Sequence, residues 1–168
     1  MKTEKVFHSD QYLKTLEATI TGIIIAKDRT EIITDRTIFF AEGGGQPGDR
    51  GTIHLSDDSS KIVTVFDTHD SGDAVVHYTN DEVPFTVGDK VTLELDWTFR
   101  FTNMQRHYGE HILSGAIYKL YKGANKGFHM GKNYITIDID LGGELMTEEM
   151  LSESELLANE AVWKNLPI

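Results

Sequence analysis

A change of hydrophobic period near Trp97 constrains this chain more than any other feature. Before it, residues 16–25, 37–40, 51–55, 61–66, 74–78 and 90–97 are short runs rich in β-branched and aromatic residues. Many alternate, as in Val91-Thr92-Leu93-Glu94-Leu95, which is the period of a half-buried strand. Asp57-Asp58-Ser59-Ser60, Asp70-Ser71-Gly72-Asp73 and Val87-Gly88-Asp89 separate them with turn chemistry. Regularly spaced short strands predict a small barrel or sandwich over residues 1–96. After Trp97, Ile112, Leu113, Ala116, Ile117 and Leu120 recur at helical spacing, with Thr102 and Gln105 as a capping box and Gly123 as the stop. A Gly-rich link (Gly123, Gly127, Gly131), a strand over 134–140 and a last helix from a Thr147 cap to about Asn165 complete residues 97–168. Glu148 and Glu149 suit the positive end of that helix, and Leu166-Pro167 ends it. The expected fold class is α+β, a small barrel followed by an α/β domain. Proline after a helix redirects a chain into another element, so the reading expects a polypeptide truncated at Ile168.

Composition narrows the function classes. Of 168 residues, 39% are hydrophobic and 26% charged, ordinary for a soluble globular protein. No apolar run nears the roughly 20 residues of a membrane span, and the polar start Met1-Lys2-Thr3-Glu4-Lys5 carries no signal-peptide core. No membrane partner is expected, and the default location is the cytoplasm. The absence of cysteine excludes a disulfide framework. Charge is uneven: residues 97–137 hold Arg100, Arg106, Lys119, Lys122, Lys126 and Lys132 against Glu110 alone, a balance of +5 within a chain of −11. That basic island would attract an anionic substrate, but it is too small for strong nucleic-acid binding unaided.

The island contains His107-Tyr108-Gly109-Glu110-His111. Imidazoles four apart lie one above the other on a helix and are close enough to share a metal ion. Zinc takes such nitrogens readily, yet a stable tetrahedral site needs three or four ligands. Without cysteine, any others in this chain are carboxylates, histidines or water. The spacing alone fits a surface or core pair equally well. It also fits the inverted metalloprotease signature, with Glu110 as general base.

The second motif is Glu42-Gly43-Gly44-Gly45-Gln46-Pro47-Gly48-Asp49. It matches neither the phosphate-binding P-loop nor the dinucleotide fingerprint. Read locally, it is either a tight turn using positive φ or a loop whose backbone N–H groups and Gln46 amide line a ligand pocket.

Together these stretches resemble the editing domain of alanyl-tRNA synthetases and its free-standing trans-editing relatives, the AlaX proteins. The resemblance is carried by Arg36-Thr37-Ile38-Phe39-Phe40-Ala41-Glu42-Gly43-Gly44-Gly45-Gln46-Pro47-Gly48-Asp49, Met104-Gln105-Arg106-His107-Tyr108-Gly109-Glu110-His111 and Gly127-Phe128-His129-Met130-Gly131. It runs in order from about residue 10 to the end. It implies a translation-protein-like β-barrel followed by an α/β editing domain of the threonyl/alanyl-tRNA synthetase type. The implied activity is hydrolysis of the ester of mischarged tRNA(Ala), with serine or glycine as the wrong amino acid, and no ATP chemistry is expected. The logic is physical: a pocket for alanine cannot strongly reject glycine, or serine with one added hydroxyl, so a second site removes the errors.

By the same resemblance, zinc is held by His107 and His111 and by a Cys-x-x-x-His motif that this chain lacks. Gln46 contacts the aminoacyl group, with Gly43, Gly44 and Gly45 forming its loop. The expected roles are a test for a serine hydroxyl by Thr37, orientation of water or general-base action by Glu110, and contact with substrate or tRNA by His129 and Arg106. Each has a plainer reading: turn stabilisation for Gln46, a strand hydroxyl for Thr37, a solvated helix acid for Glu110, a loop histidine for His129 and a solvated surface cation for Arg106. Glu110 and His129 depart from the threonine and glutamine common in the synthetases. His8, His54, His69 and His77 read as structural or exposed. Two rival functions stand: a non-catalytic tRNA- or protein-binding relative, and a metallopeptidase. With two histidines and water as ligands, zinc affinity of this chain should be weak or absent by calorimetry. Tight stoichiometric binding would instead require Glu110 or His129 as ligands.

Overall fold

Alternation turns one apolar face of each early run inward, and the strands of the first unit follow from it. The elements, in a computed structural model describing residues 2–131 and 134–166, begin with β1 (Glu4–Lys5), a 3-10 turn (Val6–His8), β2 (Thr15–Ile25), β3 (Thr30–Thr34) and β4 (Arg36–Thr37). They continue with β5 (Gly51–Leu55), β6 (Ile62–Val65), β7 (Asp67–Ser71), β8 (Ala74–Thr79) and β9 (Lys90–Leu95). Helix α1 (Trp97–Tyr121), β10 (Ala124–Met130), β11 (Ile135–Asp140) and α2 (Glu148–Trp163) complete the order. The chain divides into two compact units, Met1–Thr102 and Asn103–Ile168. Lys132 of the basic island and Pro167 of the stop signal lie outside the described residues.

In the first unit seven strands form one antiparallel sheet in the order β6-β5-β9-β2-β3-β8-β7. Strand β2 pairs with β9 through Thr15–Thr19 and with β3 from Ile20 on, with a bulge between Ile20 and Gly22. One strand thus turns the corner of the sheet. The Phe66 N–H donates to the Tyr78 carbonyl at 3.0 Å, tying the end of β6 to β8 and nearly closing the barrel. Val91, Leu93 and Leu95 of β9 point inward with Val63, Val65, Ile53, Ile20, Ile32 and Phe39, all buried. Each such side chain contributes roughly 1.5–3 kcal/mol of burial.

Several expectations need correction. Residues 90–97 form a strand only to Leu95, because the Asp96 carboxylate caps α1, accepting the Phe99 N–H at 3.0 Å. The helix therefore starts at Trp97, and Thr102 and Gln105 lie inside it rather than forming a capping box. The alternating aromatics Trp97, Phe99 and Phe101 disguised this turn as strand. Of residues 37–40 only Thr37 pairs, in the two-residue β4 alongside β1. Strands β3 and β7 escaped notice; the latter, Asp-Thr-His-Asp-Ser, has no apolar alternation to betray it. The Gly-rich link is strand β10, antiparallel to β11, with a bulge between Asn125 and Gly127. The Thr147 cap is observed, its hydroxyl accepting the Met150 N–H at 3.2 Å.

Gly123 is not the residue that stops α1, which ends at Tyr121. The left-handed residue is Lys122, with φ 60°. A Cβ on Gly123 would lie 2.7 Å from the Ile139 methyl and 2.9 Å from those of Ile117 and Leu141, so only glycine lets the helix end pack there.

The first unit also contains a buried ion pair. Asp49 Oδ2 accepts the Phe40 N–H at 2.7 Å and Arg100 Nε–H at 2.7 Å, and pairs with Arg100 Nη2 as well. Arg100 also donates to the Ile38 carbonyl at 2.6 Å and the Gln11 carbonyl at 3.1 Å. At 3% exposure Arg100 is unavailable to phosphate, which removes it from the basic island. Burial pushes the Asp49 carboxyl up, against the opposing pull of the guanidinium. Arg100→Ala, which strands Asp49 in the interior, should cost about 3–5 kcal/mol in denaturant unfolding. Asp49→Leu/Arg100→Met, with no charge left buried, should recover much of that loss.

Candidate functional site

Two groups of side chains carry the motifs, one in each unit. In the second unit, His107 and His111 stack on one face of α1 with ring centroids 4.9 Å apart and planes at 30°. Phe128 of β10 lies against both rings, at 5.0 and 6.3 Å. Desolvation, and then the neighbouring His111, hold the His107 imidazole below its ordinary pKa, against a smaller upward pull from Glu110. His107 therefore favours the neutral form that a metal ligand requires. Glu110 is 3% exposed, and its Oε1 accepts Asn125 Nδ2–H at 2.6 Å. Its Oε2 lies 3.1 Å from His111 Nδ1 and makes no aligned hydrogen bond. Arg106 donates to the Gly131 carbonyl at 2.8 Å, fixing the far end of β10 to the helix.

His129 follows Phe128 in the strand, so alternation turns it to the opposite face, where it is exposed. Two ring nitrogens on one helix face suit half of a zinc site. Among the described residues, no third histidine or carboxylate converges with them to within 4.8 Å. The group that does reach that distance is Glu42, Asp67 and His69 in the first unit. There His69 Nε2 lies 2.8 Å from Asp67 and Nδ1 3.4 Å from Glu42, so both ring nitrogens already face carboxylates. This clamp sits at the base of the Gly-rich hairpin, where the Glu42 N–H donates to the Thr68 carbonyl at 2.9 Å.

The hairpin itself is tight. Gly43 and Gln46 exchange backbone hydrogen bonds of 3.1 and 3.0 Å across Gly44 and Gly45. Those two residues carry φ of 56° and 78°, the pair of positive values that a type I′ turn demands. Gln46 is buried beside it, at 6% exposure.

Thr37 belongs to a closed hydrogen-bond chain. The Ile32 carbonyl can only accept, so His77 Nδ1 is the protonated nitrogen, donating at 2.9 Å. Nε2 is then the acceptor and takes the Thr37 hydroxyl proton at 2.8 Å, while Thr37 Oγ1 accepts the Phe39 N–H at 3.0 Å. Both residues are fully buried. No spacing signal connects residues forty apart, so sequence reading could only class His77 as structural or exposed.

Taken together, the chain is an α+β protein in which a nearly closed antiparallel barrel with a Gly-rich hairpin leads into an HxxxH helix and a second small α/β unit. Residues 6–99 match the family described as tRNA synthetases class II (A), and the chain belongs to that family. It is 40% identical over 167 residues to the alanyl-tRNA editing protein AlaX-L of Pyrococcus horikoshii, covering 98% of this chain and 40% of that protein. It is 41% identical over 118 residues to the alanine–tRNA ligase of Metallosphaera sedula, covering 70% of this chain and 12% of the ligase. The ligase of Pyrobaculum arsenaticum is 32% identical over 173 aligned positions, covering 99% of this chain and 18% of the ligase. The chain thus spans less than half the length of each of these relatives. No helix among the described residues is long and apolar enough to cross a membrane.

Burial pushes His77 down to about 4, so it stays neutral in the fold but ionises near 6.5 when unfolded. The unfolded chain then binds the extra proton first as pH falls. The stability that neutrality confers is present above about 6.5 and drains away toward 4, roughly 3 kcal/mol in all. Thermal melts should show this acid loss, and it should shrink in His77→Gln.

Proposed function

We propose that this chain carries the editing chemistry of its family, hydrolysing the ester of mischarged tRNA(Ala). Serine or glycine would be the amino acid removed. The observation that carries the reading is the pairing of a neutral-leaning His107 with His111 on one helix face, in a chain 40% identical to an alanyl-tRNA editing protein. His107 and His111 would hold zinc, with further ligands from outside the described residues. A bound zinc would supply Lewis acidity for ester hydrolysis.

The protein's own groups do the rest. Gln46, on a hairpin with two positive-φ glycines, has an amide suited to hydrogen-bond the aminoacyl moiety. Thr37 takes a supporting part, because its hydroxyl would have to give up His77 to meet a serine hydroxyl. Glu110, wholly buried, is better suited to orienting its neighbours than to taking a proton from open solvent. Arg106 and His129 are assigned to the tRNA end of the substrate, Arg106 from its place beside Gly131 and His129 from its exposed strand face.

Deacylation of Ser-tRNA(Ala) by the full-length protein tests the proposal. His107→Ala/His111→Ala should lower the rate at least a hundredfold while leaving circular dichroism unchanged. Full activity in that variant would sink the zinc site. Tight binding of Ser-tRNA(Ala) without turnover by the unmutated protein would identify a non-catalytic relative instead. Zinc-dependent cleavage of an unstructured peptide would point to the peptidase.

A further inference from the structure

If His111 is to give a nitrogen lone pair to a metal, something must decide which of its two nitrogens keeps the proton. The carboxylate nearest the ring faces Nδ1: Glu110 Oε2 stands 3.1 Å from it. That oxygen is buried and has no aligned donor, so it is an acceptor in want of a proton. The same carboxylate is gripped from the other side, where Oε1 accepts Asn125 Nδ2–H at 2.6 Å. The orientation of the Asn125 amide is fixed independently, because its Oδ1 accepts the Gly127 N–H at 2.9 Å and leaves only the NH₂ group to face Glu110.

We propose that Asn125 is a positioning residue for this site. Standing on the bulge of β10, it clamps Glu110 so that Oε2 holds the Nδ1 proton of His111 and Nε2 is presented as the electron-pair donor. The bulge gives the relay its geometry. It shifts the register between Asn125 and Gly127, so that Asn125 spans from the Gly127 amide to the helix acid. Glu110 is thereby a partner of His111 rather than a third ligand, in keeping with the lack of convergence of His107, Glu110 and His111 to a metal-sharing distance. The inference deepens the editing proposal and takes its functional meaning from it, but its structural content is separable.

The test needs neither metal nor tRNA. Long-range ¹H–¹⁵N correlation spectra of the ¹⁵N-histidine-labelled chain, well above the ordinary imidazole range, read each ring's tautomer. His111 should be Nδ1–H in the unmutated chain. In Asn125→Asp and Asn125→Ser, which both keep a turn acceptor for Gly127 and lose the amide donor, it should pass mostly to Nε2–H. His77, whose Nδ1–H is bonded to the Ile32 carbonyl, is the internal control and should not move. A His111 already Nε2–H in the unmutated chain would overturn the proposal. So would an unchanged tautomer in either variant with the His77 signal intact. Failure of the deacylation assay would sink the editing reading and leave this result untouched.

Discussion

Arg100 sits in the first turn of α1, and its guanidinium reaches the Asp49 carboxylate and the Ile38 and Gln11 carbonyls. Asp49 in turn accepts the Phe40 N–H, and its own carbonyl accepts the Thr68 hydroxyl at 2.8 Å. A charge so deeply buried is tolerable because Asp49 Oδ2 accepts from both the Phe40 N–H and the Arg100 guanidinium. Its effect is to fix the chain on both sides of the Gly-rich hairpin, residues 38–40 and 49, against one rigid fork. The hairpin then rises from a defined base with Gln46 buried, and the conformation of its turn comes from two glycines. The base of the hairpin depends on that single ion pair holding its place.

In the second unit, order comes from a short chain of side-chain bonds. Phe128 lies against the two imidazoles, Arg106 ties the helix to Gly131, and Asn125 closes over Glu110. Neutral imidazoles stacked at 4.9 Å repel little, whereas two imidazoliums would repel strongly. The downward pull on His107 is a consequence of this packing, through desolvation first and the adjacent His111 second.

The sequence made the barrel, the HxxxH helix and the α2 cap legible because each is a local pattern: alternation, i to i+4 spacing, a threonine before two glutamates. What it concealed was non-local or disguised. Asp49 and Arg100 are fifty-one positions apart and give no periodic signal. Asn125 looked like part of a glycine-rich link, since Gly123 and Gly127 flank it, and only the pairing with β11 shows it to be strand. His77 lies in a run of β-branched residues, where its complete burial had no local mark. The start of α1 was misplaced because Asp96 terminates a strand and caps a helix at once, and aromatic residues follow it.

The bulge in β2 has a further meaning. Residues Thr15–Thr19 are registered against β9, while the remainder is registered against β3, and the extra residue, Thr21, lies one step into the β3 pairing. Deleting Thr21 would bring Gly22 next to Ile20 with the pairings to Thr34 and Ile33 unchanged, removing the bulge and the bend it gives the strand. Thr21 thus sets the bend of the sheet, and not which side chains of Gly22–Ile25 face the core.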